Sequence, residues 1–532
     1  MDNFDYIVVG GGSSGCVMAA RLSENPSNKV LLIESGLRDS SPWIKIPATF
    51  FKVVEKGRDV VAYVGEKSPL LNNRDSIVLQ GHVIGGGSSV NAMLYVRGQP
   101  QDYDDWAAAG NTGWAFEDVL PVFRDLENNM EIADEFHGTD GELHVSETGF
   151  HHPLSRAYIL AAQQTGIPYN ADFNGAEQTG CGFYQTTTHD GRRWSAAEAF
   201  LRKAEKRGNL KIMTSTRVAK VEFDGTRCTG VTLQDGSRIS ATQEVVLCAG
   251  AIETPRLLQL SGIGGGADLQ NHGIKVISDL PGVGENYQDH LEVNVQCYTR
   301  DPISFYREDK GLRSVWHMLQ YQLFRSGLLN SNVVESGGFV DISGAGRPDL
   351  QFHVLPFMVG WADRAPTEAH GLSVNPCFLR PRPRSRGTVK LRSANAADPA
   401  LFNAGSFSDA EDLEILLRGT RLAIDIFRAP ALQKFVTEFS LPSPAALEDD
   451  DAIRDFIRQT AKTVFHPVGT AKMGPDSDPQ AVVDSQLRVK GVQGLRVADA
   501  SIMPTLISGN TNAPTMMIAE RAARFIKQNP TA

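Results

Sequence analysis

Cysteine is scarce and unpatterned in this sequence. Cys16, Cys181, Cys228, Cys248, Cys297 and Cys377 are scattered over 532 residues without a CxxC pair. That spacing excludes a dense disulfide framework and the usual zinc centres, so no metal is expected and the thiols read as buried and reduced. No apolar run approaches the roughly 18 residues of a spanning helix. The opening Met1-Asp2-Asn3-Phe4-Asp5 lacks the basic and apolar regions of a secretory signal, which points to a cytoplasmic protein. Positive charge is outweighed: 52 Lys and Arg face 62 Asp and Glu, a net charge of −10. Such a balance excludes a general nucleic-acid binder, which needs cations for phosphate. Repeats and long low-complexity linkers are absent too. A chain of this length exceeds the roughly 250–300 residues one core can serve, so at least two intertwined units are expected.

The clearest local unit spans residues 5–36. Tyr6-Ile7-Val8-Val9 is a continuous apolar run, the mark of a parallel strand buried on both faces. Gly10-Gly11-Gly12-Ser13-Ser14-Gly15 follows as a tight turn, Cys16–Ser23 as a packed helix, and Val30-Leu31-Leu32-Ile33 as a second buried strand closing at Glu34. This is a βαβ unit. Gly10, Gly12 and Gly15 satisfy G-x-G-x-x-G, in which the glycines serve the tight turn, the approach of a pyrophosphate and helix-on-strand packing. Glu34 lies 24 residues beyond Gly10, near the roughly 20 expected of the carboxylate that holds a ribose hydroxyl. An acid there disfavours a 2′-phosphate and leaves FAD or NAD. A second glycine run, Gly85-Gly86-Gly87-Ser88-Ser89-Val90-Asn91-Ala92-Met93, offers consecutive amides and small side chains against a large planar ligand, which suits FAD better than NAD.

Elsewhere the pattern predicts strands at 210–213, 218–223, 231–233, 244–248, 350–355, 388–391 and 496–499. Helices are predicted at 409–427, 449–461 and 514–527, with an amphipathic stretch around Trp316–Phe324. Residues 37–106 read as irregular.

Several segments together resemble the glucose–methanol–choline (GMC) oxidoreductases. Gly81-His82-Val83-Ile84-Gly85-Gly86-Gly87-Ser88-Ser89-Val90-Asn91 is similar to the family's first signature and Gly250–Gly264 to its second. Gly282-Val283-Gly284-Glu285-Asn286-Tyr287-Gln288-Asp289-His290, Phe465-His466-Pro467-Val468-Gly469-Thr470 and Asp499 through Pro514 complete the set, so the likeness runs from about residue 4 to 527. Within the family the chain resembles bacterial L-sorbose, aliphatic alcohol and polyethylene glycol dehydrogenases. Some of these are membrane-associated, so peripheral attachment to a membrane accompanies the cytoplasmic reading.

The resemblance implies an α/β fold with an α+β second domain: a Rossmann-like FAD-binding domain interleaved with a substrate domain on an antiparallel sheet with helices. The implied pieces are 1–155, 196–300 and 465–532 for FAD, and 156–195 and 301–464 for substrate. It implies oxidation of a primary alcohol, of L-sorbose or an aliphatic chain, to the aldehyde. His466 takes the hydroxyl proton, Asn510 stands beside it, flavin N5 takes the hydride, and a quinone or other acceptor takes the electrons. Implied cofactor contacts are Gly10, Gly12, Ser13, Ser14, Gly15, Glu34, Gly85, Gly87, Ser88, Asn91, Ala92, Met93, Val218, Gly250, Asp499, Ala500 and Asn512. Asn332, Glu335, His353, Phe357 and Trp361 are the candidate substrate contacts. Two departures stand out. His82 replaces the family's usual Arg or Lys, and Val90 stands where some members attach flavin through histidine, so non-covalent FAD is expected. An oxidase delivering electrons to oxygen is the alternative, and a cyanohydrin lyase with redox-idle FAD a more distant one.

Overall fold

The computed structural model of the chain describes residues 3–360, 367–379 and 385–528. Two sheets organise it. The first has seven strands, ordered Leu210–Met213, Val30–Ile33, Asn3–Val9, Arg238–Leu247, Arg227–Leu233 and Val218–Asp224, with Leu495–Val497 also on Arg238–Leu247. Its centre is parallel: Ile7 pairs with Leu31 on one side and Val245 on the other. These strands read as unbroken apolar runs because both faces are covered, and Ile7, Val8, Leu31, Leu32, Val245 and Val246 are fully buried. Helices Ser13–Leu22 and Asn512–Gln528 pack together in the same core.

The second sheet is antiparallel, ordered Val436–Leu441, Val295–Thr299, Gly371–Phe378, Leu350–Leu355, Ser336–Val340 and Gly180–Phe183. Short strands Leu291–Glu292 and Lys462–Thr463 join its side. Helices Pro153–Gln164 and Ala410–Arg428 cover one face, where Leu350, Phe352 and Val354 join their core. Because successive strand residues point to opposite faces, Gln351, His353 and Leu355 go to the other face.

The structure departs from the sequence reading in several places. The boundary expected at 300 lies beyond strands Leu291–Glu292 and Val295–Thr299, which belong to the second sheet. There Leu291, Val293, Val295 and Cys297 alternate with polar residues, an antiparallel pattern within a segment attributed to the first sheet. Residues 37–106 hold a hairpin, Val60–Val64 with Ile77–Gly81, and helices Phe50–Lys56 and Pro100–Ala108. Twelve residues separate the hairpin strands, which hid the pairing. Strand Gly371–Phe378 was also missed. The six cysteines are buried and free, and no described helix is long and apolar enough to cross a membrane.

Candidate active site

Strand Asn3–Val9 delivers the chain to Gly10, which sits at φ +101° with its would-be Cβ 2.4 Å from the Cys248 carbonyl oxygen. Only glycine fits there. At Gly15 a Cβ would come within 1.8 Å of the Gly10 carbonyl oxygen, so this glycine lets helix Ser13–Leu22 press onto the turn. The helix begins without a side-chain cap or an acid in its first turn. Its free N–H groups and positive end are therefore available to an anion.

That helix end opens into a cavity of about 1090 Å³, lined by Gly10, Gly12, Ser13, Ser14 and Glu34 at one end and by His353, His466 and Asn510 at the other. This exceeds the roughly 300–1,000 Å³ of an ordinary small-molecule pocket and leaves room for a dinucleotide with a substrate beside it. Glu34 accepts the Gly11 and Gly36 N–H groups, each at 2.6 Å. Burial raises its pKa against those two bonds. Ser35 Oγ also donates to Oε1 at 3.4 Å, and Oε2 keeps a further lone pair for a ribose hydroxyl. His82 meets Ser35 Oγ at 3.0 Å through Nε2 and also faces the cavity.

The second glycine loop lies against the first. A Cβ on Gly86 would stand 2.7 Å from the Gly12 Cα. Gly87, Val90, Asn91, Ala92 and Met93 line the cavity, as do Val218, Gly250, Asp499, Ala500 and Asn512. Gly15, Gly85 and Ser88 do not line it; they shape the loops. Ser88 Oγ donates to the Gly85 carbonyl at 2.6 Å and accepts the Ala196 N–H at 3.0 Å. Asp499 reaches the wall with its carboxylate already engaged, by Gly250 N–H at 2.9 Å, Thr254 Oγ at 2.7 Å, and Ser501 N–H and Oγ at 2.9 and 2.6 Å. Its side chain therefore braces helix Gly250–Leu260 and the following turn. Asn512 Oδ1 accepts from Ser13 Oγ at 2.8 Å, tying the last helix to the first. One supporting residue carried no sequence signal. Arg193 is buried and donates to Ser88 O at 3.1 Å and to Asn91 Oδ1 and O, both at 2.7 Å. Burial alone pulls its pKa down to about 9.

At the other end His466 follows Phe465, which is held at φ +68° with its N–H on Thr463 Oγ1 at 2.7 Å. A non-glycine residue in that region is kept there by its surroundings. The His466 N–H donates to Asp289 Oδ1 at 2.9 Å. Asp289 also accepts from Thr463 Oγ1, from Tyr287 OH at 3.1 Å and from the His290 N–H at 2.8 Å. Burial still pushes its carboxyl up to about 6.

The ring contacts settle the tautomers. His290 Nε2 lies 2.7 Å from the Leu379 carbonyl oxygen, which can only accept, so Nε2 carries a hydrogen. Burial holds His290 at about 4, so its ring is neutral and its Nδ1 bare. His290 Nδ1 meets His466 Nδ1 at 3.0 Å, so the latter must be the donor. His466 Nε2 is then the lone-pair nitrogen, and it faces Asn510 Nδ2 at 3.4 Å. The Asn510 amide is oriented by Gln351, whose Nε2 donates to Asn510 Oδ1 at 3.2 Å. Burial, reinforced by His290 and His353, holds His466 well below the usual histidine range. The arrangement is an unprotonated nitrogen beside an amide donor, able to take a proton from a hydroxyl between them.

Among the described substrate candidates only His353 lines the cavity, where its Nδ1 lies 3.0 Å from Glu292 Oε2. Glu292 is buried, yet its pKa falls: burial raises it, and Lys462 and His353 outweigh that. Lys462 Nζ is 3.2 Å from Glu292 Oε1. Three candidates are corrected. Glu335 lies beneath the wall and accepts from Ser331 Oγ at 2.5 Å, His152 N–H at 2.6 Å and Ser155 Oγ at 2.9 Å. Asn332 Nδ2 donates to the Ala92 and Val334 carbonyls at 3.0 and 3.1 Å, so it braces the second glycine loop. Phe357 packs edge-on against Phe51, 5.0 Å between centroids, behind the lining. In each case local polarity or aromatic size resembled a pocket group, and burial directed it to packing or backbone bonds. Trp361 lies outside the described residues.

Residues 4–292 match the N-terminal and residues 383–519 the C-terminal family model of the GMC oxidoreductases. The chain is 42% identical to an alcohol dehydrogenase [acceptor] of Pseudomonas putida, over 98% of this chain and 95% of that one. It is 41% identical to the mitochondrial choline dehydrogenase of Mus musculus, over 99% and 90%. Its fold matches pyridoxine 4-oxidase from Mesorbium loti with a TM-score of 0.89 and 31% identity, covering 99% of this chain and 100% of that one. The chain belongs to the GMC oxidoreductase family. It is an FAD-dependent oxidoreductase acting on alcohols.

Proposed function

We propose that the chain is an FAD-dependent dehydrogenase that oxidises an uncharged primary alcohol to the aldehyde, with His466 as its base and a quinone-like acceptor for the electrons. The observation that carries this reading is the bare Nε2 of His466, left free by the chain of bonds through His290 to the Leu379 carbonyl. FAD, when bound, accepts the hydride from the alcohol carbon. The protein's own part is to hold the hydroxyl, remove its proton and keep water out. Asn510 Nδ2 donates to the substrate oxygen as the proton passes to His466 Nε2, and Gln351 keeps the amide turned that way. The uncapped end of helix Ser13–Leu22 and Glu34 would hold the pyrophosphate and ribose. The loop 87–93 would lie along the ring system, with Val90 unable to bond to it.

Phe50, Phe51, Val54, Val334, Leu355 and Val359 give the cavity an apolar wall suited to an aliphatic chain. Its buried carboxylate, Glu292, is already matched by Lys462 and His353, so a cationic alcohol would meet a compensated site. That same cluster offers donors and acceptors to a sugar, which keeps L-sorbose as a second substrate class. The [acceptor] relative at 42% identity favours a dehydrogenase over an oxidase.

An anaerobic panel of 1-alkanols, L-sorbose and choline, followed by loss of the yellow flavin absorbance, tests the substrate class. Uncharged primary alcohols are expected to bleach the flavin faster than choline; faster reduction by choline would overturn the choice. Reoxidation by a soluble quinone should outpace reoxidation by oxygen, and stoichiometric peroxide in aerated buffer would instead identify an oxidase.

A further inference from the structure

Helix Gly311–Phe324 is built inside out. Ser314, His317, Met318 and Tyr321 face the protein; Tyr321 OH donates to the Gly191 carbonyl at 2.9 Å and His317 pairs with Glu308 at 2.8 Å. The large apolar residues Leu312, Val315, Trp316, Leu319, Leu323 and Phe324 are turned outward beside the exposed Arg313 and Gln322, with Leu312 88%, Trp316 64% and Phe324 71% exposed. Their spacing of three and four places them in one stripe. A surface helix normally hides such a stripe, and a contiguous exposed one marks a docking surface.

The charges around the stripe indicate what covers it. Arg307, Lys310 and Arg313 stand at its N-terminal end and Arg325 at its C-terminal end, against Glu308 and Asp309. This is a local excess of cations in a chain of net charge −10. A second copy docked by two-fold symmetry would set the same patch against itself and bring these cations together. An anionic lipid surface complements both features: acyl chains for the stripe and headgroups for the cations. The loop leading into the helix reaches toward the cavity wall. Lys52, from the helix that contributes Phe50, Phe51 and Val54 to the cavity, lies 3.5 Å from Asp309.

We propose that helix Gly311–Phe324 beds its Leu312–Phe324 stripe in the interface of an anionic bilayer, a monotopic attachment that sets the cavity wall beside the lipid. The test is flotation of the holoenzyme with vesicles of phosphatidylcholine alone or mixed with phosphatidylglycerol. A comparison variant carries Leu312→Gln, Trp316→Gln and Leu323→Gln. The wild type should float with the mixed vesicles and much less with phosphatidylcholine alone. The triple variant should lose about tenfold or more of the bound fraction. Because these side chains make no core contact, it should keep the flavin spectrum and the turnover of a water-soluble alcohol. The proposal is overturned if the wild type stays unbound with both compositions, or if the variant floats equally well. A wild-type dimer in vesicle-free buffer that the variant converts to monomer would also overturn it, by assigning the stripe to a second copy.

Discussion

Two substitutions at His290 separate the two bonds its ring makes. Asparagine places an amide oxygen near the position of Nδ1 and can accept from His466, but leaves the Leu379 carbonyl without a donor. Glutamine places an amide nitrogen near the position of Nε2 and can serve Leu379, but leaves His466 Nδ1 without an acceptor. An unpaired buried group costs about 1–3 kcal/mol. Loss of the His466 bond removes the preference for the tautomer with a bare Nε2. By the same figure, the His290→Gln variant should reduce its flavin about 5- to 150-fold more slowly. His290→Asn should reduce flavin near the wild-type rate while its unfolding free energy falls by about 1–3 kcal/mol. Anaerobic stopped-flow measures the first quantity and denaturant unfolding the second. Equal slowing in both variants, or a fast glutamine variant, would refute the tautomer argument.

Four other outcomes follow from the same geometry. Since burial and the neighbouring histidines depress His466, its neutral form persists as pH falls, and the acid limb of kcat/KM should lie below pH 6.5; a limb above that value would contradict the assignment. His290 titrates at about 4 when folded against 6.5 unfolded, so the unfolded chain binds its proton first. The wild type should therefore lose about 3 kcal/mol through this residue between pH 6.5 and 4, a loss His290→Asn escapes, so their unfolding free energies should converge on acidification. Gly15→Ala drives a Cβ to 1.8 Å from the Gly10 carbonyl oxygen and should release FAD or lower stability by about 1–3 kcal/mol, read by flavin fluorescence and melting. Acid precipitation should leave the yellow colour in solution, because Val90 has no nucleophilic atom; colour in the pellet would contradict non-covalent binding.

What could be read from the sequence was local. Tyr6–Val9 and Val30–Ile33 announce buried parallel strands by their unbroken apolar runs, and Gly10 and Gly15 by their place between strand and helix. Family motifs drew attention to His466 and Asn510, which the structure places 3.4 Å apart. What was not legible depends on long-range assembly. His290 stands 176 residues from His466, and the strand pairing of Leu291 with Thr463 helps bring their segments together. Arg193 reaches the flavin-side loop across 102 residues to Asn91, with no local pattern to mark it. Glu335 misled because a glutamate in an apolar stretch looks functional until three short hydrogen bonds account for it. The exposed stripe near Trp316 was visible as amphipathic, but only the fold reveals which face is turned outward.

In the proposed function the bare Nε2 of His466 removes the alcohol proton. The most direct measurement is anaerobic reduction of bound flavin by a saturating primary alcohol in the wild type and in His466→Ala, at equal FAD occupancy. The wild type should bleach, and the variant should lose nearly all flavin reduction. Reduction of the variant's flavin at close to the wild-type rate would contradict it.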